Sequence, residues 1–527
     1  MTDFLIHSPV AHYARVTPQQ AALSFAGHEM SYAALDAASN RLAHALISSG
    51  LKRQGRVGIF MHKALSLGVA IYGILKAGGV FVPLDPFMPV ERLGFILDDC
   101  EIGHLVSADG MAGALKQLEP TRPLTVFGVG VETGLASVSW SQIDAEPASA
   151  PDVWLIDQDL GYIMYTSGST GNPKGMMHSH LGSITYARWG RSHVGLTAGD
   201  RVASHAPLHF DLSIFDFFST AQAGATVVLV PEQVTKFPAS WTQYIESERI
   251  SVVFTVPFTL IEMMQRGAIE QRDLSSLRWI LFGGEPYPPK HLRALMAALP
   301  NARFTNVYGP AEAPSCTCYD VPPLADDDDQ PIPIGTVSCN SDDLILDDDD
   351  GECADGEAGE LCIRSSTLTR GYWKRPDLNQ RVFFERPSYG HFPDIYFRTG
   401  DYVVRHPDGL LRYLGRKDRM VKTRGHRVEL DEVEAALASH PAVSEAAAFV
   451  VPDAHGSKQI HACVTLCDGA RADAAVLMRH ARTKIPAYAL PRHLDVADDL
   501  PRTSSGKIDR RQLAATNAGQ PAHGTES

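Results

Sequence analysis

Cysteine is scarce in this chain, with 8 among 527 residues. That excludes a disulfide-stapled scaffold and leaves the hydrophobic core to carry the fold. Cys316 and Cys318 stand as a C-x-C pair, but no second pair lies at zinc-ligand spacing, so no metal site is expected there. Positive charge is also in deficit: 47 Lys and Arg against 61 Asp and Glu, a formal charge of −14. A binder of phosphate backbones needs clustered cations, so nonspecific nucleic-acid binding is excluded. Long apolar runs are missing as well. The best stretch, Leu65 to Val82, is interrupted by Ser66, Gly68, Lys76, Gly78 and Gly79 and reads as packed helix and strand, so no membrane span is expected. The opening MTDFLIHSPV has no basic region followed by an apolar run, and a cytoplasmic chain without a signal peptide is the expectation.

What is present is an ordinary globular balance, 44% hydrophobic and 20% charged, over a length that suits one large body and an appendage. Tyr32 to Ser49 carries apolar residues at helical spacing. Gly55 to Met61, Gly79 to Pro83, Thr226 to Pro231, Ser251 to Val256 and Leu277 to Phe282 read as buried strands. Such alternation predicts an α/β body with several sheets covered by helices, over residues 1–415. The composition changes near Arg416. An amphipathic helix opening at Asp431, strands at Ala446 to Val451 and Ile460 to Leu466, and a helix around Ala474 to Lys484 predict a small α+β domain over 419–516. Residues 517–527 form a polar tail expected to be disordered. Two acidic runs, Asp326–Asp329 and Asp347–Asp350, read as solvated turns rather than cation sites.

The most informative segment runs from Tyr162 to Gly175, an apolar strand leading into Thr166-Ser-Gly-Ser-Thr-Gly171 and ending near Lys174. Glycines let backbone N–H groups approach a polyanion, hydroxyls donate hydrogen bonds, and the lysine adds charge, so the loop suits phosphate. Its spacing is not that of a P-loop NTPase.

With the motifs that follow it in order, this loop resembles that of the adenylate-forming superfamily, which includes acyl-CoA synthetases, luciferase and nonribosomal peptide synthetase adenylation domains. Asn306-Val-Tyr-Gly-Pro-Ala-Glu312 is similar to the family's N-x-Y-G-P-T-E, with Ala311 replacing threonine. Gly359-Glu-Leu and Gly371-Tyr-Trp373, Phe397-Arg-Thr-Gly-Asp401, Gly415-Arg-Lys-Asp418, Val421 to Glu429, and Pro501-Arg-Thr-Ser-Ser-Gly-Lys507 match further motifs. The resemblance covers nearly the whole chain and implies attack of a carboxylate on the α-phosphorus of ATP, with Mg²⁺ offsetting the repulsion of two anions.

By that resemblance Thr166, Ser167, Gly168, Ser169, Thr170, Gly171 and Lys174 hold the outgoing phosphates. Glu312 holds Mg²⁺, Asn306 reads the adenine, Tyr308 lies on its ring, and Asp401 and Arg416 take the ribose. Lys507 bridges carboxylate and phosphate in the first half-reaction; Thr170 and Glu312 complete the catalytic set. Residues 416–418 form the hinge, with Asp418 its pivot, about which the small domain rotates. Rotation presents Lys422 and Gly425 to a phosphopantetheine arm, glycine leaving room for the thiol.

The segment Pro207 to Phe217 resembles the F-D-x-S of amino-acid-activating members, in which the aspartate, here Asp211, pairs with the ammonium group. An alternative is that Asp211 caps the following helix. The pocket positions fall on Asp211, Leu212, Phe215, Thr255 (or Phe254), Leu281, Gly283, Val307, Ser315 and Cys316. Apart from Asp211 and Lys507 this lining is uncharged, with Phe215 and Leu281 narrowing it and Gly283 opening it. A neutral, mostly apolar amino acid is expected: proline, alanine or a β-amino acid. No carrier segment with a modifiable serine follows Lys507, so the acceptor is expected to be a separate phosphopantetheinylated carrier protein, with coenzyme A the alternative. A basic docking patch at Arg416–Arg427 with Arg502, Arg510 and Arg511 would offset the overall negative charge.

Overall fold

The computed structural model describes residues 4–166, 172–327, 330–338, 340–388, 390–416, 420–453, 458–467, 469–502 and 508–517, the Arg511 side chain excepted. Ser167, Gly168, Ser169, Thr170, Gly171, Asp418 and Lys507 therefore lie outside the described residues, as do the tail from 518 and the end of the first acidic run. The chain divides into two compact units, Met1–Pro86 with Ile96–Tyr165 and Gly175–Lys417, and Phe87–Phe95 with Thr166–Lys174 and Asp418–Ser527.

The first unit is built on three sheets. A nine-stranded sheet runs in the order Thr336–Val337, Thr317–Asp320, Arg303–Tyr308, Trp279–Gly283, Val252–Thr255, Arg201–Ser204, Thr226–Leu229, Ala21–Phe25, His28–Ser31. Its six central strands pair in parallel, and the outer three pair antiparallel. The central strands are buried on both faces, as the runs VVFT and TVVL require, because apolar residues at every position leave no face for water. A seven-stranded sheet is ordered Ala136–Val138, Thr125–Phe127, His104–Ser107, Arg56–Phe60, Val80–Pro83, Leu160–Thr166, Lys174–Ser179, with parallel pairing from Ala136–Val138 through Leu160–Thr166. An antiparallel five-stranded sheet carries Ser341–Leu346, Ala358–Ser365, Phe392–Arg405, Phe383–Ser388 and Leu411–Arg416.

One apolar cluster joins the two parallel sheets through the helices Tyr32–Ser48 and Leu65–Lys76. Ser31 starts the first of these helices, its hydroxyl accepting from the Ala34 amide at 3.2 Å. The second is buried around almost its whole circumference and carries Lys76 into the core, where the ammonium donates to Asp36 Oδ1 (2.6 Å), Ser39 Oγ (2.8 Å) and Asn40 Oδ1 (2.8 Å). The acidic turn Asp347–Asp350 is consumed locally. Asp347 accepts from the Asp349 and Gly351 amides, Asp348 from Tyr402 Oη, and Asp350 pairs with Arg398. No group of three or more His, Cys, Asp or Glu poised for a metal occurs among the described residues.

In the second unit, a hairpin of Met420–Thr423 and His426–Glu429 leads into the helix Leu430–Ala438. That helix buries Leu430, Val433, Ala436 and Leu437 with the strands Val443–Pro452 and Lys458–Leu466. His493–Ala497 joins Lys458–Leu466 in parallel, and Asp473 caps the helix Ala474–Ala481 through the Val476 amide at 2.8 Å.

Candidate active site

The carboxyl ends of the parallel strands are where the polar side chains gather, the usual location of ligands in open α/β sheets. Strand Arg303–Tyr308 places Asn306 and Tyr308 there. The Asn306 amide nitrogen donates to the Pro333 carbonyl at 2.8 Å. Tyr308 Oη donates to Asp401 Oδ2 at 2.6 Å, and Arg416 Nη1 donates to Asp401 Oδ1 at 3.0 Å and to the Thr399 carbonyl at 3.1 Å. Asp401 and Arg416 face each other across antiparallel strands, so backbone register sets their pairing. Burial, with the Asp401 charge beside it, raises the Tyr308 phenol well above its ordinary range, which keeps it a donor. Asp401, Tyr308 and Arg416, expected on one nucleoside, thus form one hydrogen-bonded cluster.

Gly309 turns the chain immediately after Tyr308. A Cβ there would lie 2.5 Å from the Ala313 carbonyl oxygen and the Ser315 amide, so the tight return that brings Glu312 inward needs glycine. Glu312 is 1% exposed, and Tyr372 Oη donates to its Oε1 at 2.6 Å. Its backbone carbonyl accepts from the Thr369 amide at 2.8 Å. The segment Thr369–Trp373 in turn pairs with the strand leaving the phosphate loop: the Trp373 amide donates to the Gly175 carbonyl at 2.7 Å, the Arg370 amide to Met177 at 2.7 Å, and the Met177 amide to Gly371 at 3.0 Å. The G-Y-W motif therefore couples the base of the loop to the carboxylate expected to hold the metal, a role the sequence alone did not assign to Tyr372.

His178 was likewise missed. Its ring stacks on Tyr162 at 4.7 Å, and burial pulls it down to about 4 against the pull of the Glu312 charge and a hydrogen bond to the Ala311 backbone. The imidazole thus packs beside the position where alanine replaces threonine. At the loop's other end, Thr166 closes the strand Leu160–Thr166, and its buried hydroxyl has no hydrogen-bond partner among the described residues.

The substrate positions divide. Leu212, Phe215, Leu281 and Val307 belong to or pack on one apolar cluster, together with Phe254 and Ala311. Phe215 meets Phe254 edge-on with ring centroids 5.5 Å apart. Strand alternation sends Thr255 to the opposite side from Phe254, and its hydroxyl lies 3.3 Å from His205 Nδ1. Of the two positions left open, Phe254 shares the face of Phe215 and Leu281. Gly283 has a backbone need besides the one expected. A Cβ there would collide with the Val307 carbonyl oxygen, so the close approach of neighbouring strands itself requires glycine. Asp211 immediately precedes the short helix Leu212–Ile214, but its side chain makes no capping hydrogen bond, which removes the capping alternative. Ser315 takes a left-handed conformation (φ 50°) with its carbonyl accepting from Ser338 Oγ at 2.6 Å, and Cys316 is buried with its thiol toward the Tyr308 carbonyl, at 3.6 Å.

In the second unit, Lys422 lies on the strand Met420–Thr423, and Arg424 and Gly425 form the turn with φ of 49° and 82°. Gly425 therefore has a backbone reason to be glycine, whatever passes it. Much of the proposed basic patch is already paired. Arg510 donates to both oxygens of Glu434 (2.9 and 3.0 Å), Arg502 pairs with Glu445 at 2.6 Å, and Arg427 with Glu429 at 3.4 Å. These contacts reduce the local positive field that a docking patch would use.

A two-unit α/β enzyme with its polar groups at the strand ends is the class that fold and geometry define. The chain belongs to the AMP-binding enzyme family, whose model matches residues 10–373, with the AMP-binding enzyme C-terminal domain matching 432–507. It is 35% identical over 510 residues to an L-proline–[L-prolyl-carrier protein] ligase of Pseudomonas fluorescens, spanning 97% of this chain and 99% of that one. It is 34% identical over 512 residues to the ligase of the same name from Streptomyces coelicolor, covering 95% and 94%. Among solved structures, an amide bond synthetase from Marinactinospora thermotolerans superposes with a TM-score of 0.84 at 25% identity, covering 97% of this chain and 99% of that one. No helix among the described residues is long and apolar enough to cross a membrane.

Proposed function

We propose that this enzyme activates a neutral, mostly apolar amino acid with ATP, L-proline being the first candidate, and transfers it to the phosphopantetheine thiol of a separate carrier protein. The observation that carries the reading is Asp211, a carboxylate that does not cap the helix it precedes and opens a segment otherwise lined by Leu212, Phe215, Leu281 and Val307. One carboxylate beside an apolar wall suits an ammonium group with a small uncharged side chain. A charged side chain would be left buried and unpaired. The names of the two carrier-protein ligases support proline and a carrier acceptor.

The residues present fit the nucleotide and its metal. Thr166 has a buried hydroxyl, without a hydrogen-bond partner among the described residues, to offer a phosphate. The two Asp401 oxygens together provide about four lone-pair sites, of which Tyr308 and Arg416 occupy two, leaving acceptor capacity for a ribose diol. Asn306 commits one amide N–H to Pro333, and its amide oxygen would accept from an adenine amino group. Glu312 would hold Mg²⁺, which takes one or two carboxylates and fills its remaining positions from phosphate and water. When bound, the ion offsets charge at the phosphates.

The amino-acid carboxylate oxygen forms a bond to the α-phosphorus as the bond to the pyrophosphate oxygen breaks. In the second step the carrier thiol, losing its proton, forms a thioester and AMP leaves. Lys507 neutralises charge in the first step, while Lys422 and Gly425 belong to the second. Pyrophosphate exchange across proline, alanine, β-amino and fatty acids tests the first half. Thioester formation on a holo carrier protein and on coenzyme A, side by side, tests the second. Exchange with fatty acids alone, or turnover with coenzyme A and no carrier, would overturn the corresponding part.

A further inference from the structure

Beneath the amino-acid segment lies a buried polar group to which the reaction above gives no role. Lys63, 8% exposed, follows the strand Arg56–Phe60 of the seven-stranded sheet. Its ammonium reaches to the nine-stranded sheet, donating to the carbonyls of Ser204 (2.7 Å) and His205 (2.8 Å). These two residues end the strand Arg201–Ser204 and begin the connection to Asp211. Lys63 is itself fixed, because its amide donates to Glu232 Oε1 at 3.1 Å and the His62 ring lies 3.4 Å from the same oxygen. One side chain thus ties the carboxyl ends of parallel strands in two sheets.

The counter-charge is Asp216, which is fully buried in the π-turn Phe215–Ser219. By hydrogen-bond geometry neither carboxylate oxygen, nor the Ser204 hydroxyl or His205 Nε2 beside Lys63, closes a hydrogen bond among the described residues. Burial lifts Asp216 well above the usual carboxylate range, against the pull of Lys63, and lowers Lys63 to about 8. Such a pair is a poor source of stability, since apolar residues of similar volume would usually serve as well or better. Its value has to lie in geometry. Single π-turns inside helical segments are frequent at functional sites, and this one aims Phe215 at Phe254. His205 extends the connection, with Nδ1 3.3 Å from Thr255 Oγ1 and its ring 4.9 Å from that of Trp241.

We propose that Lys63 is a positioning residue for amino-acid recognition, anchoring the start of the Ser204–Phe217 segment, with Asp216 as its buried counter-charge, so that Asp211 and Phe215 are held at the substrate. The inference rests on the amino-acid-activating reading, and the experiment separates the two. Lys63→Met and the double variant Lys63→Met/Asp216→Leu are compared with the full-length wild-type chain by pyrophosphate exchange and thermal unfolding. The single variant is expected to raise the KM for the amino acid about tenfold while the KM for ATP stays within about twofold. The double variant, which leaves no unpaired charge, recovers Tm but not the amino-acid KM. Hydrogen exchange gives a readout that does not depend on which acid is activated: amides of 205–217 should exchange faster in both variants, and those of 303–308 should not. Wild-type exchange with no amino acid would refute the amino-acid reading, while the amide measurement still judges the anchor. An amino-acid KM restored together with Tm, an equal rise in both KM values, or unchanged protection of 205–217 would overturn the role of Lys63.

Discussion

Lys76 and Lys63 are both buried in the same unit, yet their surroundings differ completely. The Lys76 ammonium meets a carboxylate, a hydroxyl and an amide oxygen, and every one of those contacts comes from the single helix Tyr32–Ser48. The Lys63 ammonium meets two backbone carbonyls of another sheet, while its counter-charge closes no hydrogen bond among the described residues. A satisfied buried cation joins two neighbouring helices and stabilises. One left with imperfect partners contributes little stability, and here it stands under the residues proposed to face the substrate. The difference teaches that burial alone does not mark a structural lysine; the completeness of its hydrogen bonding does.

The sharpest test at the amino-acid end is Asp211→Ala. An ammonium left unpaired in a desolvated pocket costs about 3–5 kcal/mol, so the amino-acid KM should rise more than a hundredfold and the preference over the deaminated acid should collapse. An unchanged preference would move recognition elsewhere. Next in size is Lys76→Met, which strands the Asp36 carboxylate and its neighbours. Chemical denaturation should report a loss of about 3 kcal/mol, with both KM values near wild type. A selective rise in amino-acid KM there would erase the contrast between the two lysines.

Asp401→Asn tests the cluster at the opposite end, where each carboxylate oxygen already accepts one hydrogen bond. It exchanges a charged acceptor for a neutral one facing Tyr308 and Arg416, worth about 1.5–3 kcal/mol. The KM for ATP should rise at least tenfold while the amino-acid KM holds, and the converse pattern would contradict the division of the site.

The effect that is smallest for each ring and each pH unit is a slope with pH. Burial holds His180 at about 4 and His205 at about 3, against about 6.5 in an unfolded chain. The unfolded state therefore binds more protons below pH 6.5. The stabilisation is complete above that value and is lost as pH falls toward 4, by up to about 1.4 kcal/mol per unit for each ring. A Tm that stays flat from pH 7 to pH 5 would contradict it.

Much of the fold was legible because periodicity is a local property. The helix expected over Tyr32 to Ser49 is found at Tyr32–Ser48, and the strand runs at Gly79 to Pro83 and Ser251 to Val256 are strands to within a residue at most at either end. Continuous β-branched stretches have no polar face, so their burial in parallel sheets follows from composition. The grouping of residues carried by ordered motifs was legible too: Asp401, Tyr308 and Arg416, proposed to take one nucleoside, meet in one hydrogen-bonded cluster. Tyr372 stood inside a quoted motif, but nothing local says that its hydroxyl reaches Glu312.

By itself, then, the sequence determined the α/β class, the small C-terminal domain and the residue types proposed to handle a nucleotide, because all of these are written in spacing along the chain. Tertiary structure alone decided that Gly283 serves strand approach, that Phe254 faces Phe215, that Arg510 is paired with Glu434, and that Lys63 spans two sheets to Ser204. Each of these depends on which segments meet across long sequence separations. Pairing register and strand alternation set those meetings, and no local pattern encodes them.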